Sequence, residues 1–311
     1  MSNPAPDVSI LLTVYNGMPY LAEAVESIRA QTYTHWKMVI VNDGSTDDSG
    51  PYLDTLRSDE RFVILHQENG GTAVASNNGL KYCDTEFLAR MDSDDVCHPS
   101  RLELQVNFLR DNPKVGLVGS QIVPLGSQKA GKPIQLATDH ATIYSQLRAG
   151  QHAMCHPTIL MRTDVLKGIG GYWKQNGMFD AWDMFLRMGE AAELANLNEP
   201  LLHYRIHTGS INGKHMHKLR ASIDFACELA GLRERGLPDI TYAEFFENKD
   251  KKGFFGNLRY KVGVYALLQY RLALIDMLGG HPMRGYGRLG WSALCSPART
   301  WNRLMRHAVP S

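Results

Sequence analysis

Short apolar runs alternate with amphipathic segments along the first 125 residues. In the amphipathic segments apolar residues recur at helical spacing, as Leu21, Val25 and Ile28 do after the first apolar run. Strands that alternate with helices form a mainly parallel sheet covered on both faces, so the pattern predicts an α/β fold. The predicted strands cover residues 8–14, 37–42, 62–65, 86–91 and 115–123, and the predicted helices begin near residues 21, 51, 72 and 100.

The pattern changes after about residue 124. A loop rich in Gly, Lys and Pro covers 126–133, a helix is predicted near 142–148, and the residues from 215 onward are predicted to be helical. A chain of 311 residues is long for one ordinary domain but suits a large α/β domain with an appendage. We therefore predict a domain over 1–214, whose two halves meet near residue 124, and a C-terminal helical extension over 215–311.

Three carboxylates follow the fourth predicted strand in quick succession: Asp92, Asp94 and Asp95. Like charges this close raise each other's pKa, so the cluster stays ionised comfortably only with a cation among it. Mg²⁺ and Mn²⁺ prefer oxygen ligands, and Mg²⁺ is usually held by one or two carboxylates together with substrate phosphates. The Asp-x-Asp pattern therefore predicts a metal site for a nucleotide diphosphate. The alternative is that Asp94 or Asp95 begins the helix signalled by Pro99, or lies on a solvated acidic loop.

Two more predicted strands end in polar residues. One runs into Asp43, and the first strand runs into Tyr15-Asn16-Gly17. In open α/β sheets, ligands bind outside the carboxyl ends of the strands. Three strands are therefore predicted to direct polar groups at one edge of the sheet.

Six segments in order carry a resemblance to a known family. They are VSILLTVYNG, VIVNDGSTDDS, ENGGTAVASNNGL, FLARMDSDD with PSRLELQ, CHPTILMRTDVL with GGY, and LLHYRIHTGSI. Together they resemble the successive motifs of the family 2 glycosyltransferases of the inverting, bacterial surface-polysaccharide type, which have a GT-A fold with a Rossmann-like nucleotide-binding half and an acceptor half. The likeness spans residues 7–212, about two thirds of the chain, and such an ordered series is far more specific than any single motif.

The resemblance implies an inverting, metal-dependent glycosyltransferase. It implies transfer of a sugar from a nucleotide donor to a hydroxyl of a glycan or polyprenyl-linked acceptor, with a UDP-sugar as the default donor and dTDP- and GDP-sugars as alternatives. Mn²⁺ or Mg²⁺ is the implied cofactor. By motif position, the implied donor-binding residues are Thr13, Tyr15, Asp43, Ser76, Asn77 and Asp92, the metal residues are Asp94 and His207, and the acceptor residues are His156 and Trp182.

Several of these residues also have structural interpretations. Asp43 is a favourable turn residue, Tyr15 is a plausible core aromatic, and His207 can simply hydrogen-bond a loop. Ser76 stands where many relatives place an arginine before Asn77, which leaves the identity of the donor open.

The general base of the family is missing from its expected position. The family usually places it as an Asp in a Glu-Asp-x-Asp stretch at the start of a helix, and the alignment puts Ala181 there, between Asp180 and Asp183. Alanine cannot accept a proton. Three explanations stay open: Asp180 serves from a shifted position, the base comes from elsewhere, or the chain is a substituted, inactive form. Both carboxylates also have a structural interpretation, because acids in the first turn of a helix are stabilised by its dipole.

Two other functions compete with the transferase. Ala181 is compatible with a catalytically silent module that only binds the donor. A nucleotidyltransferase can share a similar nucleotide-binding sheet, but it needs a Gly-rich loop with a basic residue after the first strand. The sequence Tyr15-Asn-Gly-Met-Pro lacks such a loop.

The C-terminal residues 251–311 are strongly basic. Ten Lys and Arg side chains against the single acid Asp276 give +9, so residues 1–250 carry −8 within the total of +1. The longest uncharged apolar stretch, 262–270, falls well short of the ~20 residues that span a bilayer. A basic, partly amphipathic helix can lie on an anionic membrane surface, and the alternative is a helix packed on the catalytic domain. The acidic body argues against nucleic-acid binding, because no recognition motif accompanies the basic tail.

The cysteines and the N-terminal residues bear on the compartment. Five scattered cysteines without a Cys-x-x-Cys pair argue against a disulfide framework or a zinc site and fit a reducing cytosol. The first apolar run lacks a basic leader, so no signal peptide is expected. We therefore expect a cytoplasmic protein, peripheral on the cytoplasmic face of the membrane if the basic tail binds lipid.

Overall fold

An eight-stranded sheet forms the centre of the fold. The computed structural model describes residues 6–172, 180–207, 216–250, 253–297 and 300–301. The strands are β1 Val8–Val14, β2 Trp36–Asp43, β3 Phe62–Gln67, β4 Phe87–Asp92, β5 Val96–Cys97, β6 Val115–Leu125, β7 Leu160–Arg162 and β8 Glu193–Arg205. They lie in the order β3-β2-β1-β4-β7-β6-β8-β5.

Helices alternate with the first strands and dominate the C-terminal region. The helices predicted near residues 21, 51, 72, 100 and 142 are confirmed within a few residues, as is the helical character after residue 215. The helices are α1 Leu21–Arg29, α2 Ser49–Thr55, α3 Thr72–Leu80, α4 Arg101–Asp111, α5 His140–Arg148, α6 Thr163–Gly168, α7 Asp180–Ala191, α8 Met216–Glu234, α9 Tyr242–Asp250, α10 Gly253–Leu278 and α11 Pro282–Cys295.

The first four long strands form the parallel part of the sheet. β1 pairs in parallel with β2 on one side and β4 on the other, and β2 pairs in parallel with β3. Ile10, Leu11 and Leu12 are fully buried, as expected of a strand that is covered on both faces. The predicted parallel sheet is confirmed for these strands.

The other strands make the sheet mixed. β7 pairs antiparallel with both β4 and β6, and β5 pairs antiparallel with β8. The parallel prediction therefore holds for β1 to β4 and not for the later strands. Apolar patterning identifies a buried strand but carries no information on its direction.

Close packing at one glycine seats α3 on the parallel strands. A Cβ atom at Gly79 would lie 2.4 Å from Leu11 Cδ1 and 2.9 Å from Val41 Cγ2. A larger residue there would force the side chains of Leu11 and Val41 to shift. The contact holds α3 on β1 and β2.

The chain divides into two compact units. The first comprises residues 1–122, 136–174 and 180–204, and the second comprises 123–135, 175–179 and 205–311. The predicted boundary at residue 214 lies outside the described residues, so the predicted domain division stays a prediction.

In the second unit α10 and α11 pack against each other. Ser292 Oγ donates to Ala266 O at 2.8 Å, and Arg288 pairs with Asp276 at 2.7 Å. α10 therefore packs against α11 along one side, while its Leu258, Val262 and Tyr265 are exposed. None of the helices within the described ranges combines the length and the apolar character needed to cross a membrane.

Candidate functional site

The carboxyl ends of β1, β2 and β4 meet at one edge of the sheet, which we call the carboxyl edge. In the parallel register, Thr13 of β1 is the Cα partner of Val41 in β2 and of Asp92 in β4. Asp43 ends β2 two residues beyond Val41. The fold therefore brings Thr13, Asp43 and Asp92 to the same edge, where ligands bind in open α/β sheets.

Tyr15 follows β1 at this edge and is 54% exposed. The interpretation of Tyr15 as a core aromatic is therefore wrong. An exposed ring beside the strand ends is available to a ligand, and its contact with the donor stays a prediction.

Hydrogen bonds tie the loop after β1 to the loop after β2. Asn16, in the left-handed region at φ +53°, accepts at Oδ1 from the Thr46 N–H at 2.8 Å. The Met18 N–H donates to Asp47 Oδ2 at 3.0 Å. Burial pushes the pKa of Asp47 up, but hydrogen bonds from Ser49 and Met18 outweigh it and hold the pKa below its usual value. The sequence placed Asn16 at the polar end of the first strand but gave it no role, and Asp47 was not singled out, although both stand in turn-rich segments.

Asp43 organises the loop that leads into α3. Its Oδ1 accepts from Gln67 Nε2 at 2.7 Å and from the Gly70 N–H at 2.8 Å, and its Oδ2 accepts from the Gly71 N–H at 2.9 Å. Asn69 Nδ2 donates to the Asp43 carbonyl at 3.0 Å. The buried carboxylate thus acts as a loop-forming residue, as the turn interpretation proposed. Its contact with the nucleotide base stays a prediction.

The Ser76 side chain is buried, and the Asn77 side chain makes hydrogen bonds within the protein. Ser76 is fully buried on α3. Asn77 Nδ2 donates to Tyr172 O at 2.6 Å, and Asn77 Oδ1 accepts from the Tyr172 N–H at 3.0 Å. The Asn77 side chain therefore clamps the backbone at Tyr172, and the donor-binding roles predicted for both residues stay predictions.

The acidic cluster lies in a turn between β4 and β5. Asp92 ends β4, Asp94 is partly exposed in the turn, and Asp95 is buried. α4 begins only at Arg101, with Ser100 as its N-cap residue. The alternative that Asp94 or Asp95 begins this helix is therefore wrong, because the pairing of β5 with β8 returns the chain to the sheet first.

The chemistry of this turn suits a metal that is shared with a substrate. Across the described residues, no three His, Cys, Asp or Glu side chains are arranged to hold a metal ion by themselves. Mg²⁺ is commonly bound by one or two carboxylates, with phosphates and waters as the other ligands. Asp92 and Asp94, both partly exposed at the carboxyl edge, fit that pattern. His207 follows β8 in the second unit, and its role as a ligand stays a prediction.

The predicted base position is buried in the first turn of α7. Ala181 and Asp183 are both buried. Asp183 Oδ2 accepts from Arg187 Nε at 2.7 Å, and Arg187 also donates to Ile169 O at 2.6 Å and Gly171 O at 2.9 Å. Asp183 therefore helps to hold the turn after α6 in place. This structural task makes it the weaker candidate for a base.

Asp180 and Trp182 flank the base position. Asp180 begins α7, as predicted, and its catalytic role stays a prediction. Trp182 is buried, and its Nε1 donates to Leu147 O at 3.2 Å. The ring fills the interior between α7 and α5, and its contact with an acceptor stays a prediction.

His156 lies in an aromatic environment. Its ring packs edge-on against Tyr172 and Phe185, with centroids 5.8 and 6.1 Å away. Its Nε2 lies 3.3 Å from the Tyr172 hydroxyl. Burial, reinforced by the charge of Arg90, lowers the pKa of His156 well below its usual value. The imidazole is therefore neutral at physiological pH, and its contact with an acceptor stays a prediction.

Comparison with known sequences decides the family. The profile described as glycosyl transferase family 2 matches residues 9–170, more than half of the chain. A protein from Rickettsia prowazekii named as an uncharacterized glycosyltransferase is 30% identical over 224 residues, which cover 69% of each chain. The chain belongs to glycosyl transferase family 2. The chain spans only 15–17% of the length of the other Rickettsia relatives that it matches over 105 residues.

Solved structures show the same fold. The S. aureus protein TarS, residues 1–349 in complex with UDP, is similar with a TM-score of 0.61 and 14% identity, over 95% of this chain and 92% of that one. The mannosyltransferase PcManGT from Pyrobaculum calidifontis, in complex with GDP-Man and Mn²⁺, is similar with a TM-score of 0.57 and 16% identity, over 98% and 86% of the two chains. The GT-A fold predicted for this glycosyltransferase is confirmed.

Proposed function

We propose that this glycosyltransferase moves a sugar from a nucleotide donor, most simply a UDP-sugar, to a hydroxyl of a glycan or polyprenyl-linked acceptor, with inversion and with Mn²⁺ or Mg²⁺. The observation that carries the proposal is the carboxyl edge itself. There Asp92 ends β4 as the Cα partner of Thr13 on the parallel strand β1, and Asp94 lies in the turn that follows. UDP in TarS and GDP-Man with Mn²⁺ in PcManGT support a nucleotide donor and a divalent metal.

Each residue at the carboxyl edge has a proposed task. Asp94 would hold the metal ion that also binds the donor diphosphate, and Asp92 would accept from ribose hydroxyls or support the metal ligand as a neighbouring carboxylate. Thr13 and the exposed ring of Tyr15 line the nucleotide pocket. When bound, the divalent cation supplies Lewis-acid stabilisation of the charge that develops on the departing diphosphate. Asp43 keeps the loop at Gly70 in position by accepting from its N–H at 2.8 Å.

Inversion requires a base on the side of the acceptor. The base takes the proton from the attacking hydroxyl on the face opposite the diphosphate, within hydrogen-bond reach. Position 181 is where the family usually carries this base, but Ala181 cannot accept a proton. Asp183 is engaged by Arg187, and Asp180, which begins α7, would have to serve from a shifted position. A catalytically silent form that only binds the donor is the second candidate, and Ala181 is the observation that favours it.

A panel of nucleotide sugars tests the proposed donor and metal. UDP-, dTDP- and GDP-sugars are added with and without Mn²⁺, and thermal unfolding is followed. A ligand at 100 times its Kd stabilises the folded state by about 2.7 kcal/mol, which corresponds to a rise in Tm of several degrees. We expect that rise for UDP-sugars and only with Mn²⁺. A Tm that no nucleotide changes, or that all change equally without metal, would contradict the proposal.

The exposed face of α11 supports a membrane partner for the basic tail. Met283, Tyr286, Trp291 and Leu294 are 83%, 64%, 53% and 76% exposed and recur at helical spacing, so they form one apolar face. No acidic residue follows Asp276 in the sequence. We propose that this face, the α11 face, lies on an anionic membrane surface with its aromatic rings at headgroup level.

Polar substitutions on the α11 face are expected to release the protein from vesicles. Full burial of a Leu or Met side chain contributes about 1.5–3 kcal/mol, so Leu294→Ser and Met283→Ser are each expected to weaken binding about tenfold or more. Leu237→Ser is the matched control, because Leu237 is an exposed leucine, at 47%, that lies outside α11. Cosedimentation with vesicles that contain phosphatidylglycerol measures the effect.

Salt and oligomeric state separate the possible results. Binding of the intact chain should weaken as salt increases, because exposed charges are screened over about 10 Å at 0.1 M. Absence of binding at every salt concentration would contradict the membrane proposal. A dimer that Leu294→Ser dissociates would assign the α11 face to a second copy of the chain instead.

A further inference from the structure

A buried arginine lies beneath the carboxyl edge. Arg90, in the interior of β4, is 1% exposed. Its Nη1 donates to Leu11 O at 2.8 Å and to Met91 O at 3.1 Å, and its Nη2 donates to Thr13 Oγ1 at 2.7 Å. Nη2 also lies 3.8 Å from Asp92 Oδ1. One guanidinium thus links two residues that the proposed function assigns to the donor.

Strand geometry explains this contact. Side chains two residues apart on a strand lie on the same face, so Arg90 and Asp92 share one face of β4. Thr13 is the Cα partner of Asp92 on the neighbouring strand. The guanidinium therefore lies behind the Thr13 and Asp92 pair, on the interior side of the carboxyl edge.

Burial of this charge is costly for the fold. An arginine side chain stays protonated in proteins, and a buried charge is tolerated only when it is well paired. Arg90 Nε is buried and has no hydrogen-bond partner within the described part of the chain. The 3.8 Å separation from Asp92 is longer than a direct hydrogen bond. An apolar side chain would pack at this position without that cost. We therefore look for the role of the charge in its contacts with Thr13 and Asp92.

A second buried arginine provides a contrast. Arg101, also 1% exposed, donates through Nη2 to Arg90 O at 2.8 Å and through Nη1 to Cys97 Sγ at 3.0 Å. It approaches Met91 Sδ, which lies on the opposite face of β4 from Asp92. Arg101 therefore braces the same strand from the other side, and neither of these hydrogen bonds reaches a residue assigned to the donor.

We propose that Arg90 is a positioning residue that prepares the carboxyl edge for the ribose of the donor, an inference that rests on the proposed function. Because Thr13 Oγ1 accepts from Arg90, the hydroxyl proton of Thr13 is left to donate toward the ligand. The carboxylate of Asp92 lies beside that hydroxyl, with its Oδ1 3.8 Å from Arg90 Nη2. A hydroxyl donor next to a carboxylate acceptor is complementary to a vicinal diol, whose two hydroxyls can accept from one and donate to the other.

Discrimination between ribose and deoxyribose tests the inference. Calorimetry with Mn²⁺ measures the Kd of uridine diphosphate and of its 2′- and 3′-deoxy forms for the wild type, Arg90→Met, Arg90→Lys and Arg101→Met. We expect the wild type to prefer the ribose form by about tenfold, because a hydrogen bond to a charged group is lost with the hydroxyl. Arg90→Met should reduce that preference to about twofold or less, Arg90→Lys should restore part of it, and Arg101→Met should keep it.

A merely structural role predicts a different result. Both methionine variants would then lower Tm, while the Kd of each deoxy form divided by the Kd of uridine diphosphate stayed as in the wild type. That result would overturn the inference. Thr13→Val keeps the test decisive if Arg90→Met fails to fold, because it replaces only the hydroxyl, by a methyl group of similar size. Thr13→Val should lose the ribose preference and Thr13→Ser should retain it, and an unchanged ratio in Thr13→Val would overturn the inference. A wild type that binds no nucleotide would overturn the proposed function and the inference together.

Discussion

Replacement of Ala181 by Asp is expected to raise sugar transfer by a factor of roughly 10²–10⁴, the contribution of a positioned general base. The reason is geometric, because Ala181 occupies the position where family 2 glycosyltransferases usually carry their catalytic Asp. Donor affinity should change little, since the base acts on the proton of the acceptor and not on the nucleotide. The measurement is the rate of UDP release from the donor sugar found in the nucleotide panel, with water or an added glycan as acceptor.

Burial of Ala181 requires a matched control. An unpaired polar group in an apolar environment costs about 1–3 kcal/mol, and Ala181 is almost fully buried. Ala181→Asn introduces a side chain with the shape of Asp, but its neutral amide cannot act as the base. Equal losses of Tm in the two variants, with a gain in rate only for Ala181→Asp, would assign the gain to the carboxylate.

The competing account makes Asp180 the base. In that case Asp180→Asn should abolish transfer, and Ala181→Asp should be neutral or harmful, because a second carboxylate beside the first raises one of the two pKa values. Loss of activity in Asp180→Asn together with no gain in Ala181→Asp would therefore contradict the assignment of position 181. If neither variant has measurable transfer while both bind donor, the silent donor-binding function is the better description.

Local patterns in the sequence predicted the nucleotide-binding half well. β1 to β4 and the helices between them were predicted because each apolar run or helical spacing is contained in its own segment. β5 has only two residues and was missed, since so short a strand carries no pattern of its own. The direction of β7 could not be predicted either, because it depends on where the chain returns to the sheet.

The functions of individual side chains were harder to predict. The sequence showed that Asn77 stands in a family motif, but only the fold shows that its amide clamps the backbone of Tyr172. Arg90 was missed although a charged residue within an apolar strand was a visible signal. Its importance depends on Thr13, which is 77 residues away in the sequence and 2.7 Å away in the structure.

The same limit applies to the C-terminal helices. The partly amphipathic pattern of the basic tail predicted a helix that is suited to a membrane surface. In the structure Val264 and Leu278 of α10 are buried, while α11 carries an exposed apolar face. An apolar face in a sequence does not reveal whether another helix of the chain covers it.

Replacement of Asp94 by Asn is expected to abolish the metal-dependent part of nucleotide binding. The substitution removes the charge of a proposed metal ligand and leaves the shape of the side chain nearly unchanged. We expect the affinity for uridine diphosphate in the presence of Mn²⁺ to fall at least about tenfold, because even a supporting partner of a metal ligand is commonly worth that much. The weaker binding that persists in EDTA should be the same in the variant and in the wild type.

The fold should survive this substitution, which makes the result interpretable. Asp94 is partly exposed in a turn, and substitutions away from packed or paired positions usually change stability by about 0.5 kcal/mol or less. Asp111→Asn, an exposed aspartate at the end of α4, is the matched control and should alter neither Tm nor binding. Asp92→Asn distinguishes the role of Asp92 from that of Asp94. Because Asp92 is proposed to contact ribose, this substitution should mainly reduce the preference for ribose over deoxyribose. Calorimetric titrations in which Asp94→Asn and the wild type show the same dependence on Mn²⁺ would remove Asp94 from the metal site and require the metal to be held elsewhere.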